Sequence, residues 1–122
     1  MKHPKILIVE DEAWLAHQQR SLLEKEGYKV EVSPHARGAI QYIDQFDPDI
    51  IILDVLLPGA TAFSLLHELQ SYGDTGSIPV IICSSMATEL RPADLEAYGV
   101  RKVLDKTTMQ PRDIVGAVKS LL

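Results

Sequence analysis

The sequence predicts an α/β fold in which five parallel strands alternate with five helices, the strands lying in the order 2-1-3-4-5. Three observations predict it. Short apolar runs alternate with stretches of helical spacing, a pattern that demands a parallel sheet with right-handed crossovers and helices on both faces. The two strongest runs, Lys5-Ile6-Leu7-Ile8-Val9 and Ile50-Ile51-Ile52-Leu53, are unbroken and rich in β-branched residues. Strands buried on both faces read that way, so these two belong at the centre. Tyr28-Lys29-Val30-Glu31-Val32 instead alternates apolar and polar, as a half-exposed strand at an edge does. That strand order places a topological switch point between strands 1 and 3.

The elements follow in order. The first strand ends at Glu10-Asp11-Glu12. From Ala13 to Glu26 the composition favours a helix, with Leu15, Leu22 and Leu23 on one side. Asp11 or Glu12 is placed to cap its start, and Gly27 suits its stop. The alternating strand follows, and Ser33-Pro34 breaks the chain. Ala36 to Gln45 reads as a short helix facing inward through Ala39, Ile40 and Ile43. Asp47-Pro48-Asp49 is a turn, and the Ile50 strand ends at Asp54. After Pro58-Gly59, Ala62, Leu65, Leu66 and Leu69 recur at helical spacing, and residues 71–77 form a loop. Pro79 to Cys83 is the fourth strand, ending at Ser84-Ser85. A helix from about Thr88 to Tyr98 has Pro92 in its first turn and Gly99 at its stop. Val100 to Leu104 is the fifth strand, ending at Asp105-Lys106. Pro111 opens the last helix, whose apolar face is Ile114, Val115, Val118 and Leu121. Residues 1–122 read as one domain without repeat or linker.

Composition narrows the function. No apolar run approaches the roughly 20 residues that span a bilayer, and the N-terminus lacks the apolar region of a signal peptide. A cytoplasmic location is expected. Cys83, the single cysteine, forms no intrachain disulfide and reads as a small buried hydrophobe. With 12 Lys and Arg against 17 Asp and Glu, and no basic stripe, direct nucleic-acid binding is not expected. Trp14 reads as partial core or surface cover near Asp11, where its fluorescence would report on a bound ion. His17, His35 and His67 lack ligand spacing and read as surface residues.

The chemistry gathers at the carboxyl ends of the strands, which all face one side in a parallel sheet. Strand 1 ends in Glu10-Asp11, strand 3 in Asp54, strand 4 in Ser84-Ser85 and strand 5 in Lys106. Three carboxylates crowded into a partly dehydrated cleft repel one another. A divalent cation resolves the conflict, and an oxygen-only donor set indicates a hard ion, Mg²⁺ above all. Lys106 and Ser84 then suit a phosphoryl group, one by charge and one by a hydrogen bond. A carboxylate beside the ion can attack phosphorus and form an aspartyl phosphate.

These residues resemble the receiver domain of two-component response regulators. The resemblance rests on Ile6-Leu7-Ile8-Val9-Glu10-Asp11-Glu12, Ile51-Ile52-Leu53-Asp54-Val55-Leu56-Leu57-Pro58-Gly59, Pro79-Val80-Ile81-Ile82-Cys83-Ser84 and Asp105-Lys106. Each motif alone is common; the four in this order and spacing cover nearly the whole chain. The resemblance implies a flavodoxin-like (CheY-like) three-layer sandwich. It implies that Asp54 accepts a phosphoryl group from a histidine kinase or histidine phosphotransfer protein. Glu10, Asp11, Asp54 and the Leu56 carbonyl would ligate Mg²⁺, Ser84 would be the switch hydroxyl, and Lys106 would pair with the phosphate. No enzyme activity is implied beyond Mg²⁺-dependent self-phosphorylation and slow self-dephosphorylation. It also implies a downstream output domain or protein, and dimerisation through the helix 4–strand 5–helix 5 face, common in the family. No output domain follows Leu122, so the chain reads as a stand-alone receiver or as part of a longer regulator.

The sequence departs from the family pattern in four places. Thr61-Ala62 stands where Asp-Gly is usual. Lys106 precedes Thr107 rather than proline, so a trans bond is expected. Val103 stands where Tyr or Phe is usual, and Ser85 where alanine is frequent. Leu56 and Met86, two residues beyond Asp54 and Ser84, are apolar and predict slow self-hydrolysis. A phosphorylation-independent pseudo-receiver is the alternative, favoured by Thr107 and Val103 and opposed by the intact acids, Ser84 and Lys106. A small phosphatase, nucleotide-binding or flavin-binding protein ranks last, since no Gly-rich phosphate loop follows strand 1.

Overall fold

Alternation along the central strands divides the core in two. A computed structural model of the chain describes residues 3–36, 38–54, 59–71, 75–85 and 92–122. Its elements are β1 (Lys5–Val9), α1 (Ala13–Lys25), β2 (Lys29–Ser33), α2 (Ala39–Phe46), β3 (Ile50–Asp54), α3 (Gly59–Ser71), β4 (Val80–Ser84), α4 (Pro92–Glu96), β5 (Val100–Asp105) and α5 (Asp113–Leu121). The strands form one parallel sheet in the order β2-β1-β3-β4-β5, as expected. The register sets Ile6 beside Ile50 and Val9 beside Leu53, and carries Asp54 to Cys83 and Ser84 to Asp105.

Successive side chains on a strand point to opposite faces. Leu7, Val9, Ile51, Leu53, Val80 and Ile82 therefore share one apolar cluster, with Ala39 and Ile43 of α2, Leu65, Leu66 and Leu69 of α3 and Leu95 of α4. Ile6, Ile8, Ile50, Ile52, Ile81 and Cys83 form the other, with Ala16 and Leu23 of α1 and Ile114, Val115 and Val118 of α5. Burial on both faces is why these strands carry unbroken apolar runs. The edge strand β2 keeps its predicted alternation, with Lys29 and Glu31 exposed and Val30 buried. Among the described residues, no helix is long and apolar enough to cross a membrane.

Helix ends show where local chemistry overrode the sequence reading. α1 closes as predicted at Gly27 (φ 94°), with Gly27 N–H donating to Glu24 O and Tyr28 N–H to Leu23 O. That pairing is the Schellman motif. Its start differs from expectation: Glu12 is the N-cap residue, but neither it nor Asp11 makes a side-chain cap bond. The Glu12 N–H instead donates to Glu10 Oε2 at 3.4 Å, because the acids serve a cluster of their own. α2 begins at Ala39 rather than Ala36, since Gly38 at its N-cap is left-handed (φ 87°). The helix predicted from Thr88 is described only from Pro92, whose fixed φ and missing N–H suit a first turn; residues 86–91 lie outside the described residues. The last helix starts at Asp113, not Pro111, with Asp113 Oδ2 accepting the Gln110 N–H at 2.8 Å. Trp14, in the first turn of α1, is 67% exposed, so of the two readings, partial core or surface cover, it is not part of the core.

Gly99 ends the turn before β5 with φ 79°, and a Cβ there would meet Gln70 Nε2 at 3.1 Å. Gly99→Ala is therefore expected to destabilise the protein by about 1–2 kcal/mol in a urea titration, from left-handed strain and the close contact. A loss below about 0.5 kcal/mol would mean the turn tolerates a side chain.

Candidate functional site

Glu10, Asp54 and Lys106 stand at strand ends by continuing one alternating row. Residues 6, 8 and 10 share a parity, as do 50, 52 and 54, and Leu104 precedes Lys106 in the same row. Each continues the face that α1 and α5 cover. Backbone pairing holds them there. The Glu10 N–H donates to Ser33 O at 3.1 Å, and the Lys106 N–H donates to Ser84 O at 3.0 Å. Asp54 is the last residue of β3.

The three side chains meet. Lys106 Nζ donates to Glu10 Oε1 and to Asp54 Oδ2, each at 2.8 Å. Glu10 is 2% exposed and Asp54 3%, so two carboxylates lie out of water with one ammonium between them. Exposed Asp11 completes an acid cluster: one oxygen from each of Glu10, Asp11 and Asp54 lies within 4.8 Å of the others. The closeness predicted for these carboxylates thus holds. Ser84 is buried at the end of β4, in the opposite row, with Val80 and Ile82. The Leu56 carbonyl, proposed as a ligand from the resemblance, and Leu56 and Met86, linked to hydrolysis, lie outside the described residues.

Burial sets the electrostatics. Desolvation, reinforced by the hydrogen bond to Asp54, raises the Glu10 carboxyl to about 8, against the opposing pull of Lys106. Burial by itself lowers the Lys106 ammonium, but its hydrogen bonds to Asp54 and Glu10 outweigh that and hold it above the usual lysine value. Desolvation likewise raises the Cys83 thiol to about 12. It stays a protonated, inert member of the core, as read from the sequence.

The sequence reading missed how Lys106 is aimed. By sequence Thr107 reads only as a departure from proline. In the structure its N–H and its hydroxyl both donate to Asp105 Oδ1, at 2.9 and 2.6 Å. The signal was present as Asp-x-Thr, a spacing at which an Asp side chain bonds the backbone two residues on. The described residues contain no cis peptide bond, and Lys106 reaches both acids. Val103 packs half-buried against the α2–α3–α4 side of the core. His17, His35 and His67 are exposed, as expected. Among the described residues, Gln19 Oε1 is the buried side-chain atom without a hydrogen-bond partner. Gln19 lies beside an open cleft that Glu12, Trp14, Gln18, Met109 and Lys106 also line.

An all-oxygen set of three acids, one exposed and two buried, has the makeup of a hard-cation site with room for non-protein ligands. A family model described as "Response regulator receiver domain" matches residues 6–119. Among curated proteins, the transcriptional regulatory protein BaeR of Escherichia coli O6:H1 is 32% identical over 120 residues, covering 98% of this chain and 48% of that protein. The chain spans about half the length of most of the curated relatives it matches. Among solved structures, the chemotaxis response regulator CheY4 of Vibrio cholerae superposes with a TM-score of 0.87 at 21% identity, covering 99% of this chain and 100% of that one. The response regulator TrrA of Thermotoga maritima, solved in complex with Mg²⁺-BeF, superposes at 0.80 with 21% identity, covering 98% and 99%. With nearly its whole length matched by the family model, the chain belongs to the response regulator receiver domain family.

Proposed function

We propose that this chain is a phosphorylatable receiver, with Asp54 as phosphoacceptor, in a two-component signalling route. The observation that carries the reading is the convergence of Glu10, Asp11 and Asp54 within 4.8 Å with Lys106 Nζ 2.8 Å from Asp54 Oδ2. The donor is a phosphohistidine on a kinase or phosphotransfer protein. An Asp54 carboxylate oxygen forms the new P–O bond. The bond from phosphorus to the histidine nitrogen breaks, its electron pair stays on the imidazole, and the imidazole takes up a proton. Lys106 holds Asp54 in place and then pairs with the phosphoryl oxygens. Buried Ser84 supplies the hydroxyl through which the new charge shifts a two-state equilibrium in α4, β5 and α5.

Mg²⁺ fits the donor set, and Glu10, Asp11 and Asp54 would hold it. Bound there, it would neutralise charge on the transferring phosphoryl group. The rest of the reading follows: cytoplasmic, acting on an output domain or protein, with two copies pairing through the α4–β5–α5 face. No catalysis is proposed beyond self-phosphorylation and slow self-dephosphorylation.

Incubation with acetyl phosphate and Mg²⁺, read by intact mass, tests the proposal. Wild type is expected to gain one phosphoryl group, and Asp54→Asn none. A wild type that gains nothing at saturating donor, or an Asp54→Asn variant that is labelled equally, overturns it.

A further inference from the structure

We propose that Asp105 and Thr107 are positioning residues that aim Lys106 at Asp54, an inference resting on the phosphoacceptor reading above. A lysine side chain has four rotatable bonds and is not pre-organised. The direction of its stem must come from the backbone that carries it. On the strand side that backbone is held by the Lys106 N–H donating to Ser84 O at 3.0 Å. Immediately afterwards the chain leaves the sheet, where ladder bonds end.

Asp105 supplies the second anchor. Its carbonyl accepts the Thr108 N–H at 3.2 Å and the Met109 N–H at 2.9 Å. Its Oδ1 accepts the Thr107 N–H at 2.9 Å and the Thr107 hydroxyl at 2.6 Å. Four donors thus converge on one residue, and Lys106 is the single residue between Asp105 and the segment bonded back to it. The Thr107 bonds hold the Asp105 carboxyl below its usual value, so the acceptor is charged and the bonds are of the stronger kind. The Asp105 carboxylate is engaged by the residue that follows Lys106, Thr107. Its influence on the site therefore passes through Lys106. Hydrogen bonding here restrains the peptide after Lys106, a task a proline ring would perform covalently.

The measurement is the rate of Asp54 phosphorylation of the 122-residue chain by acetyl phosphate with Mg²⁺, read by intact mass. Asp105→Ala, which removes the carboxylate acceptor, is expected to slow labelling about five- to tenfold, and Thr107→Ala, which loses the hydroxyl but keeps the N–H, about threefold. Thr107→Ser keeps the hydroxyl and is expected to restore the wild-type rate. The decisive comparison is made in a Lys106→Met background, where adding Asp105→Ala is expected to change the rate by less than about twofold. A merely structural role would slow that background as much as wild type. Asp105→Ala labelled at the wild-type rate, equal loss in both backgrounds, or no rescue by serine each overturns the positioning role while leaving Asp54 as acceptor. A wild type that is never labelled overturns both.

Discussion

Lys106→Met is expected to destabilise the cation-free protein by about 2–3 kcal/mol and to slow phosphorylation of Asp54 on the order of a hundredfold. The ammonium stands 2.8 Å from Glu10 Oε1 and 2.8 Å from Asp54 Oδ2. Methionine fills much the same volume, so the change isolates charge. Breaking a buried ion pair by deleting one partner typically costs about 3–5 kcal/mol. The lower figure applies here because Glu10 can relieve the strain by keeping its proton. Millimolar Mg²⁺ is expected to return most of the lost stability, since a cation among the acids replaces the missing charge. The variant should therefore gain more from Mg²⁺ than wild type does. Urea denaturation in EDTA and in Mg²⁺ measures both. A variant as stable as wild type in EDTA would show that the two acids do not depend on the ammonium. The rate has a separate cause: charge developing on the phosphoryl oxygens loses a fixed positive partner, and one preorganised electrostatic contact is commonly worth about 100- to 1000-fold.

Most of the fold was legible because burial on two faces writes itself into composition. Ile50-Ile51-Ile52-Leu53 admits few other readings, and the edge strand betrayed itself by alternating Lys29 and Glu31 with Val30. The same periodicity held more than was taken from it. Glu10, Asp54 and Lys106 extend the rows Ile6-Ile8, Ile50-Ile52 and Leu104, so strand parity alone assigns them to one face. Ser84, by parity, belongs to the other row. What stayed hidden depended on competition among local bonds. Asp11 and Glu12 look like helix caps until the acid cluster claims the neighbourhood. Thr107 looks like a missing proline until its two donors are seen on Asp105. Neither outcome is a matter of propensity. Each follows from where a short polar side chain finds the nearest buried or charged partner, and that is settled only in three dimensions.

The second large effect is a pH dependence carried by Glu10. Burial raises its carboxyl from the ordinary value of 4.5 to about 8. Between these two values the folded chain keeps a proton that the unfolded chain has released. Stability from this group is therefore fully present below about pH 4.5 and is lost as pH rises through about 8. The slope cannot exceed about 1.4 kcal/mol per pH unit for one proton. Glu26, held below its ordinary value by Lys119, and Lys106, held above the usual lysine range by Asp54 and Glu10, do not titrate in this window. Glu10→Gln copies the protonated acid without the titration. In EDTA, wild type is expected to lose on the order of 5–10 °C in Tm between pH 5 and pH 8.5 relative to Glu10→Gln. Cation binding has the opposite sign. Mg²⁺ must displace the Glu10 proton to use that oxygen, so wild-type affinity is expected to rise towards pH 8, by up to about tenfold per unit. Glu10→Gln should bind more weakly and with little pH dependence. Calorimetric titration of Mg²⁺ at pH 6, 7 and 8 in buffers of different ionisation enthalpy reads both affinity and proton release. If wild type and Glu10→Gln gave parallel Tm curves and wild type released no proton, Glu10 would be an ordinary ionised acid, and the coupling between its burial and the cation would fall.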